Sequence, residues 1–396
     1  MDEPLDPFSS LFTVPLILCL VGGLLFAALL YRQRELILLC LLVLAVGGGA
    51  KLWAGRSAAG FTGRLAADRQ RLFPGERLTL GLEAENRRWL PVLLRARIPV
   101  GGLGGPPSKP LAATRGLLWH QQTSIRWELA AGPRGVHRLG PARLSTGDLF
   151  GFYSTAHAVD APLSVVVYPR LVPLRRFAPP RREFFGLPGA ESPVRDPVYL
   201  LGTQEYQHGR PAKHIHWKAS ARHHRLQEKV FEPTQQAKVL LVVEAEGFAG
   251  TEAAPEFERA LEAVASLAAR LNREGAAVGL LASGAVEGGG APFVPLGGGP
   301  HQLPAILELL ARLSAAPGSD LQETLRAGLR LPWGVSCLCV ARSWRGSASA
   351  FLRHLADRRV PALLFVSRPV RGEGAEGEAP ANVRPLASIL AREDEP

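Results

Sequence analysis

Two long apolar runs near the N-terminus constrain this chain before anything else does. Residues 11–31 carry no charged side chain, and residues 36–54 carry one, Lys51. Each run is long enough to cross the hydrocarbon core of a bilayer as a helix. Lys51 sits near the end of its run, where a long side chain reaches the interface. Arg32, Gln33, Arg34 and Glu35 form a tight connection between the runs. A cleaved signal peptide begins with basic residues, whereas this chain opens with Asp2, Glu3 and Asp6. The second run alone would also suit a buried core helix. Together the runs predict a transmembrane helical hairpin over residues 1–56. Arg32 and Arg34 on the connection are outnumbered by Lys51, Arg56, Arg64, Arg69 and Arg71 after the second run. The excess of basic residues on inner flanks then predicts a multi-pass cell-membrane protein with both termini inside and its soluble part cytoplasmic.

A chain of 396 residues holds about two or three folded units. Its net charge of +11 suits nucleic acid or anionic lipid headgroups. It also suits the bland alternative of an arginine-rich composition set by a GC-rich genome. Cys19 and Cys40 lie in the apolar runs, and Cys337 and Cys339 lie two apart in an expected strand. Two apart in a strand means the same face, which does not suit an intrastrand disulfide. The spacing is not of a metal-binding type either.

Residues 62–170 read as a β-sandwich. Leu78, Leu80, Leu82 and Ala84 alternate with polar residues, as in a half-buried strand. Residues 91–98, 117–129 and 163–168 are further strand candidates, separated by turn signals such as Gly132-Pro133 and Gly140-Pro141. Residues 101–110 read as a flexible loop. Asp148, between Gly147 and Gly151, suits an Asx-type turn better than a catalytic acid. Residues 171–236 read as connector and signature, the first part rich in proline and arginine. From residue 237 to 372 apolar strands alternate with amphipathic helices, which predicts a parallel sheet with helices on both faces. Residues 373–396 begin Gly-, Glu- and Ala-rich and predict a flexible tail. The expected class is therefore α+β multidomain.

Residues 205–232 read EYQHGRPAKHIHWKASARHHRLQEKVFE. Glu205, Tyr206, Gly209, Ile215, Trp217, Ser220, Ala221, Arg222, Leu226, Lys229, Phe231 and Glu232 fit the signature of the domain-of-unknown-function 58 family, which this chain resembles. Arg210 stands where that signature has Asp, and Lys213 or His214 where it has Arg. Residues 132–153, GPRGVHRLGPARLSTGDLFGFY, match a second stretch. The resemblance implies a von Willebrand factor A-like domain after the signature. It also implies association with a MoxR-type AAA+ ATPase and with transglutaminase-like membrane proteins. Von Willebrand A domains often hold a divalent metal through D-x-S-x-S after their first strand. The equivalent run here is Glu244-Ala245-Glu246-Gly247-Phe248. Glu244 and Glu246 offer oxygens, but Phe248 offers none to a hard cation, so the expectation is a degenerate loop with no metal or cofactor.

Other chemistry finds little support. His214 and His216 are two apart, and His223 and His224 are adjacent, without the usual zinc spacing or a nearby cysteine. A nuclease lacks a carboxylate cluster for its metals. Ala282-Ser283-Gly284 is no nucleophile elbow. The glycine runs at 288–290 and 297–299 lack the Lys-Ser/Thr of a phosphate loop. No catalytic residue is assigned. Trp217 and Phe231 are expected to fasten the signature onto the α/β domain, with Arg222 and Lys229 paired to Glu205 or Glu232. The resulting segment is an internal strap, a docking face, or both. The leading expectation is a non-enzymatic membrane-anchored adaptor or scaffold. A metal-dependent binder or enzyme using Glu244, Glu246 and the histidines is the second reading. A membrane-proximal nucleic-acid binder ranks last.

Overall fold

The computed structural model describes residues 8–58, 61–103, 110–148, 153–159, 163–175, 177, 195–206, 215–233, 237–319, 321, 331, 334–368 and 380–391. The chain is a mixed α+β protein in two compact units, Met1–Arg170 and Leu171–Pro396.

The first unit opens with helices α1 (Phe8–Leu30) and α2 (Arg34–Ala58). Gln33 N donates to Ala28 O at 3.0 Å while Arg32 takes φ 53°, so the chain leaves α1 through a left-handed residue, as helix C-termini commonly do. Glu35 in the first turn of α2 lies where a helix N-terminus favours a carboxylate. A Cβ on Gly47 would lie 2.6 Å from Leu18 Cδ2, so a small residue is what lets the helices approach here. Ala28 and Cys40 are buried, while Leu16, Leu20, Phe26, Leu38 and Leu42 face outward. The stretch Arg34–Trp53 is long and apolar enough to cross a membrane, and Pro15–Leu30 is a shorter apolar helix.

Ten strands follow: β1 (Phe61–Ala67), β2 (Arg71–Leu72), β3 (Arg77–Asn86), β4 (Val92–Ile98), β5 (Leu111–Leu117), β6 (Gln122–Ala130), β7 (Gly135–Leu139), β8 (Ala142–Gly147), β9 (Ser154–Val159) and β10 (Leu163–Val167). They form sheets β1-β3-β6, β5-β4-β8-β9 and β2-β10-β7. Leu78, Leu80 and Leu82 of β3 are buried in one core with Leu94, Ile98, Leu144, Val165 and Val167. Burying each such side chain stabilises by roughly 1.5–3 kcal/mol. The alternation along β3 thus sets which of its faces is inside. Residues 117–129 are not one strand. Leu118 N donates to Gln121 Oε1 at 2.8 Å and His120 takes φ 51°, so a turn splits the stretch into the end of β5 and β6. The apolar Leu117, Leu118 and Trp119 conceal that turn in the sequence. Asp148 is buried, and its Oδ1 accepts from Tyr153 N at 2.7 Å, which is a turn-closing role. Residues 104–109 and 149–152, within the glycine-rich loop and the second signature stretch, lie outside the described residues.

The second unit contains β11 (Arg195–Glu205), α3 (Trp217–His223), β12 (Gln227–Pro233), β13 (Lys238–Val243), α4 (Ala254–Arg273), β14 (Ala277–Ala282), β15 (Gly284–Val286), β16 (Phe293–Gly297), α5 (Gln302–Arg312), β17 (Leu313–Ser319), β18 (Val335–Ala341), α6 (Ser347–Asp357), β19 (Ala362–Val366) and β20 (Val383–Pro385). Its main sheet runs β16-β14-β13-β18-β19-β20, parallel except for β16. The central strands are buried along almost their whole length, as strands covered on both faces are. Leu240, Val242, Cys337 and Cys339 share a core with Phe351 and Leu355 of α6. Leu261, Val264, Leu267 and Leu271 form the buried stripe of α4.

The sequence pattern misjudged the C-terminal segment. Instead of a flexible tail, β20 pairs with β19, and Leu386 and Ile389 are buried. Strand β19 would otherwise present unpaired backbone groups at an open edge. Residues 369–379 and 392–396 lie outside the described residues. The beginning of the connector is anchored too. Val172 N donates to Ser266 Oγ at 2.7 Å, Arg175 N donates to Ile389 O at 2.9 Å, and Phe177 meets Phe365 edge-on at 5.9 Å.

Candidate functional site

Strands β11 and β12 pair antiparallel, with Thr203 opposite Lys229 and Glu205 opposite Gln227. Helix α3 lies on this hairpin. His216 caps the helix, its Nδ1 accepting from Ala219 N at 3.0 Å. Ser220 Oγ donates to His216 O at 3.0 Å and accepts from Gln227 N at 2.8 Å. His216 N donates to Gln227 O at 2.7 Å, and Tyr206 N to Leu226 O at 2.8 Å. Ser220 and Ile215 are buried. A small polar bracket therefore ties α3 to β12, and it uses a histidine that the sequence presented as a metal candidate.

Most of the other described signature residues face outward. Trp217 is 69% exposed, so its ring does not fasten the hairpin to anything among the described residues. Lys218, Arg222, His223, His224, Arg225 and Leu226 are exposed as well, and Lys229 is half-buried. The ion pair to Glu205 comes from Arg225, at 3.9 Å, instead of from Arg222 or Lys229. Both partners are well exposed, so the pair contributes about 0–1 kcal/mol. Gly209, Arg210 and Lys213 lie outside the described residues, as do the side chains of Phe231 and Glu232 in β12.

A second cluster lies where the strand order reverses. β14 and β18 flank β13 on opposite sides, so the strand order reverses between β13 and β18, the usual ligand position in open α/β sheets. Glu244 follows β13 and is buried; its Oε1 accepts from Ser347 Oγ at 2.6 Å, at the start of α6. Burial pushes the Glu244 carboxyl up from its ordinary range. Hydrogen bonds from Ser347 and the Gly247 backbone oppose that shift, and Glu246 adds to it. Glu246 Oε1 instead accepts from Gly318 N at 3.2 Å. Ser283 Oγ accepts from Ala245 N at 2.9 Å. Phe248 is buried, with its ring centroid 5.5 Å from that of Phe257. Arg342, just after β18, donates to Glu256 at 3.0 Å and to Gly247 O at 3.5 Å, and Arg368 reaches Glu256 at 3.5 Å.

The carboxylates of Glu244 and Glu246 are thus held by different partners. Among the described residues, no three His, Cys, Asp or Glu side chains gather as a metal site. The arrangement can latch the loop after β13 to α6 and bring the Arg342 guanidinium against that loop. Sequence reasoning singled out Glu244, Glu246 and Phe248 but missed Ser347, Arg342, Glu256 and Arg368. Those residues are up to 124 positions apart, counting from Glu244 to Arg368, and no local spacing announces them. A groove of about 470 Å³ on the β1-β3-β6 sheet, lined by Arg64, Glu83, Glu85 and Gln122 among others, belongs to neither cluster.

Residues 202–330 match the family described as "Protein of unknown function DUF58". The "Uncharacterized protein YeaD" of Bacillus subtilis (strain 168) is 26% identical over 229 residues, covering 55% of this chain and 54% of that relative. The chain therefore spans about half the length of the curated relative it matches. Among solved structures, the CARDB domain of the PF1109 protein from Pyrococcus furiosus is 11% identical, with a TM-score of 0.20 over 27% of this chain and 91% of that one. A FixG-related protein from Vibrio parahaemolyticus is 11% identical, with a TM-score of 0.20 over 27% and 96%. Likeness at that level carries no argument about this chain.

Proposed function

We propose that this chain is a non-enzymatic, membrane-anchored adaptor that presents a cytoplasmic β-sandwich and a von Willebrand A-like domain to a MoxR-type AAA+ ATPase and its clients. The observation that carries the anchor is the outward apolar surface of α1 and α2, where Leu16, Leu20, Phe26, Leu38 and Leu42 are exposed. An apolar surface of that extent needs lipid or a partner to cover it, and α2 has the length and hydropathy to cross a bilayer. The hairpin is multi-pass, and the basic residues after α2 orient both termini inward.

The von Willebrand A-like reading is supported by the sheet order, which counts 3-2-1-4-5-6 along the chain with the third strand reversed. Its loop after the first strand is degenerate. A metal-dependent reading would require Glu244 to leave Ser347 and Glu246 to leave Gly318. The adaptor reading draws on exposed Trp217, Arg222 and Arg225 on the α3 hairpin, an aromatic and basic surface of the kind enriched at interface hot spots. Tethering raises the local concentration of whatever docks there. The ATPase and a transglutaminase-like membrane protein enter as partners through the family resemblance.

The test has two parts. Full-length protein extracted in mild detergent should co-purify with an AAA+ ATPase, and R222E/R225E should lose that association while keeping its unfolding temperature. An impermeant reagent applied outside intact cells should leave lysines beyond Gly60 unlabelled. Labelling there, or extraction without any ATPase, removes the proposal.

A further inference from the structure

The end of the sandwich nearest α2 carries an exposed aromatic tip. Trp89 is 76% exposed, Trp119 55% and Leu118 54%. Trp89 sits in the β3–β4 loop, Leu118 and Trp119 in the β5–β6 turn, and the Trp89 ring stands edge-on to His120 at 5.2 Å. Large apolar side chains gathered in this way call for an occupant.

The tip is held rigid from beneath. The buried Asn86 donates through Nδ2 to Leu90 O at 2.8 Å and to Leu118 O at 2.9 Å. Its Oδ1 accepts from Arg88 N at 3.1 Å. His120 N donates to Arg88 O at 3.2 Å, and Asn86 N to Gln121 O at 3.0 Å. The two loops are therefore one body, and the tryptophans are exposed on a fixed support.

The tip is also tied to α2. Trp53 Nε1 donates to Pro91 O at 2.8 Å, and Trp53 is the last residue of the stretch able to cross a membrane. Trp89 is two residues from Pro91, a distance of at most about 7 Å along the chain. α2 also packs on β8 and β9. Gly147, the last residue of β8, pairs with Leu93 near the start of β4, the strand that follows Pro91. Exposed Lys51 and Arg88 lie close to the aromatics along the chain, while exposed Arg87 pairs with Glu85 at 3.0 Å. Tryptophan with flanking cations is the composition that settles at the headgroup level of a bilayer.

We infer that the tip formed by residues 87–90 and 118–121 is a lipid-binding site, with Trp89, Leu118 and Trp119 inserted into the interface of the bilayer that α2 crosses. The site takes phospholipid headgroups and the upper acyl region as its ligand, and it fixes the sandwich against the membrane surface. The inference rests on the membrane-anchor reading above.

The experiment reconstitutes the full-length chain into phosphatidylcholine–phosphatidylglycerol vesicles that contain a lipid nitroxide near the headgroup. The emission lost between the native chain and W89F/W119F isolates these two tryptophans. That difference is expected to be quenched by the lipid nitroxide and shielded from aqueous iodide. Vesicles that carry the chain through carbonate flotation while the difference emission stays iodide-accessible overturn the lipid site and leave the anchor standing. A chain that fails to float overturns both. If W89F/W119F does not fold, W119F alone is read in the same way.

Discussion

Replacing Asn86 tests whether the two loops are truly held as one body. Its side chain makes three hydrogen bonds, at 2.8, 2.9 and 3.1 Å, from a site with no exposure. Each such bond contributes about 0.5–1.5 kcal/mol net. Leu90 is half-buried and Leu118 exposed, so water can replace part of what is lost, and Asn86→Ala should cost about 2–3 kcal/mol locally. That corresponds to a fall of about 30- to 150-fold in amide protection where exchange runs through opening of these loops. Asn86→Asp separates this account from simple loss of volume. A carboxylate has no donor, so it would face the carbonyls of Leu90 and Leu118 with like polarity while still accepting from Arg88. The expected order of protection for peptides covering 86–92 and 117–123 is native, then Ala, then Asp at neutral pH. Acid should narrow the gap, because a protonated carboxyl regains one donor. Hydrogen exchange with mass spectrometry on the detergent-solubilised chain reads all three proteins. An aspartate variant as protected as the alanine variant at neutral pH would refute the donor argument.

Glu244→Gln keeps an acceptor for Ser347 and removes a carboxyl whose folded pKa is raised above its ordinary value of 4.5, chiefly by burial. Between the unfolded and folded values the native state binds more protons. The stability due to this group is therefore present below the unfolded value and lost as pH rises through the folded one. Unfolding temperatures followed across that range should fall with pH for the native chain and change less for the glutamine variant; parallel curves contradict the assignment. Ser220→Ala removes the bracket between His216 O and Gln227 N, and should cost about 1–2 kcal/mol, seen as faster exchange confined to α3 and the start of β12. Burial pushes the Cys337 thiol up to about 12 and that of Cys339 well above its ordinary value. Both should therefore resist iodoacetamide in the native chain and react after denaturation, with native-state labelling of either counting against the buried core.

The apolar runs, the alternation at Leu78, Leu80 and Leu82, and the strand–helix rhythm after residue 237 were legible in the amino-acid order because each depends on a period of a few residues. Periodicity decides which face of an element is apolar, and solvent then decides where that face goes. The turn at Leu118–Gln121 was hidden because it opens on the apolar Leu118 and Trp119, and the pairing of β20 was hidden because an edge strand is chosen by the strand beside it. The roles within the candidate sites were decided by tertiary structure. His216 and Ser220 became a bracket once α3 met β12. Trp217 turned outward. Glu244 found Ser347 only once β13 and β18 were paired side by side. Hydrogen bonds and buried charges act over a few ångströms of space, and residues that far apart along the chain become neighbours only after the sheet order is set.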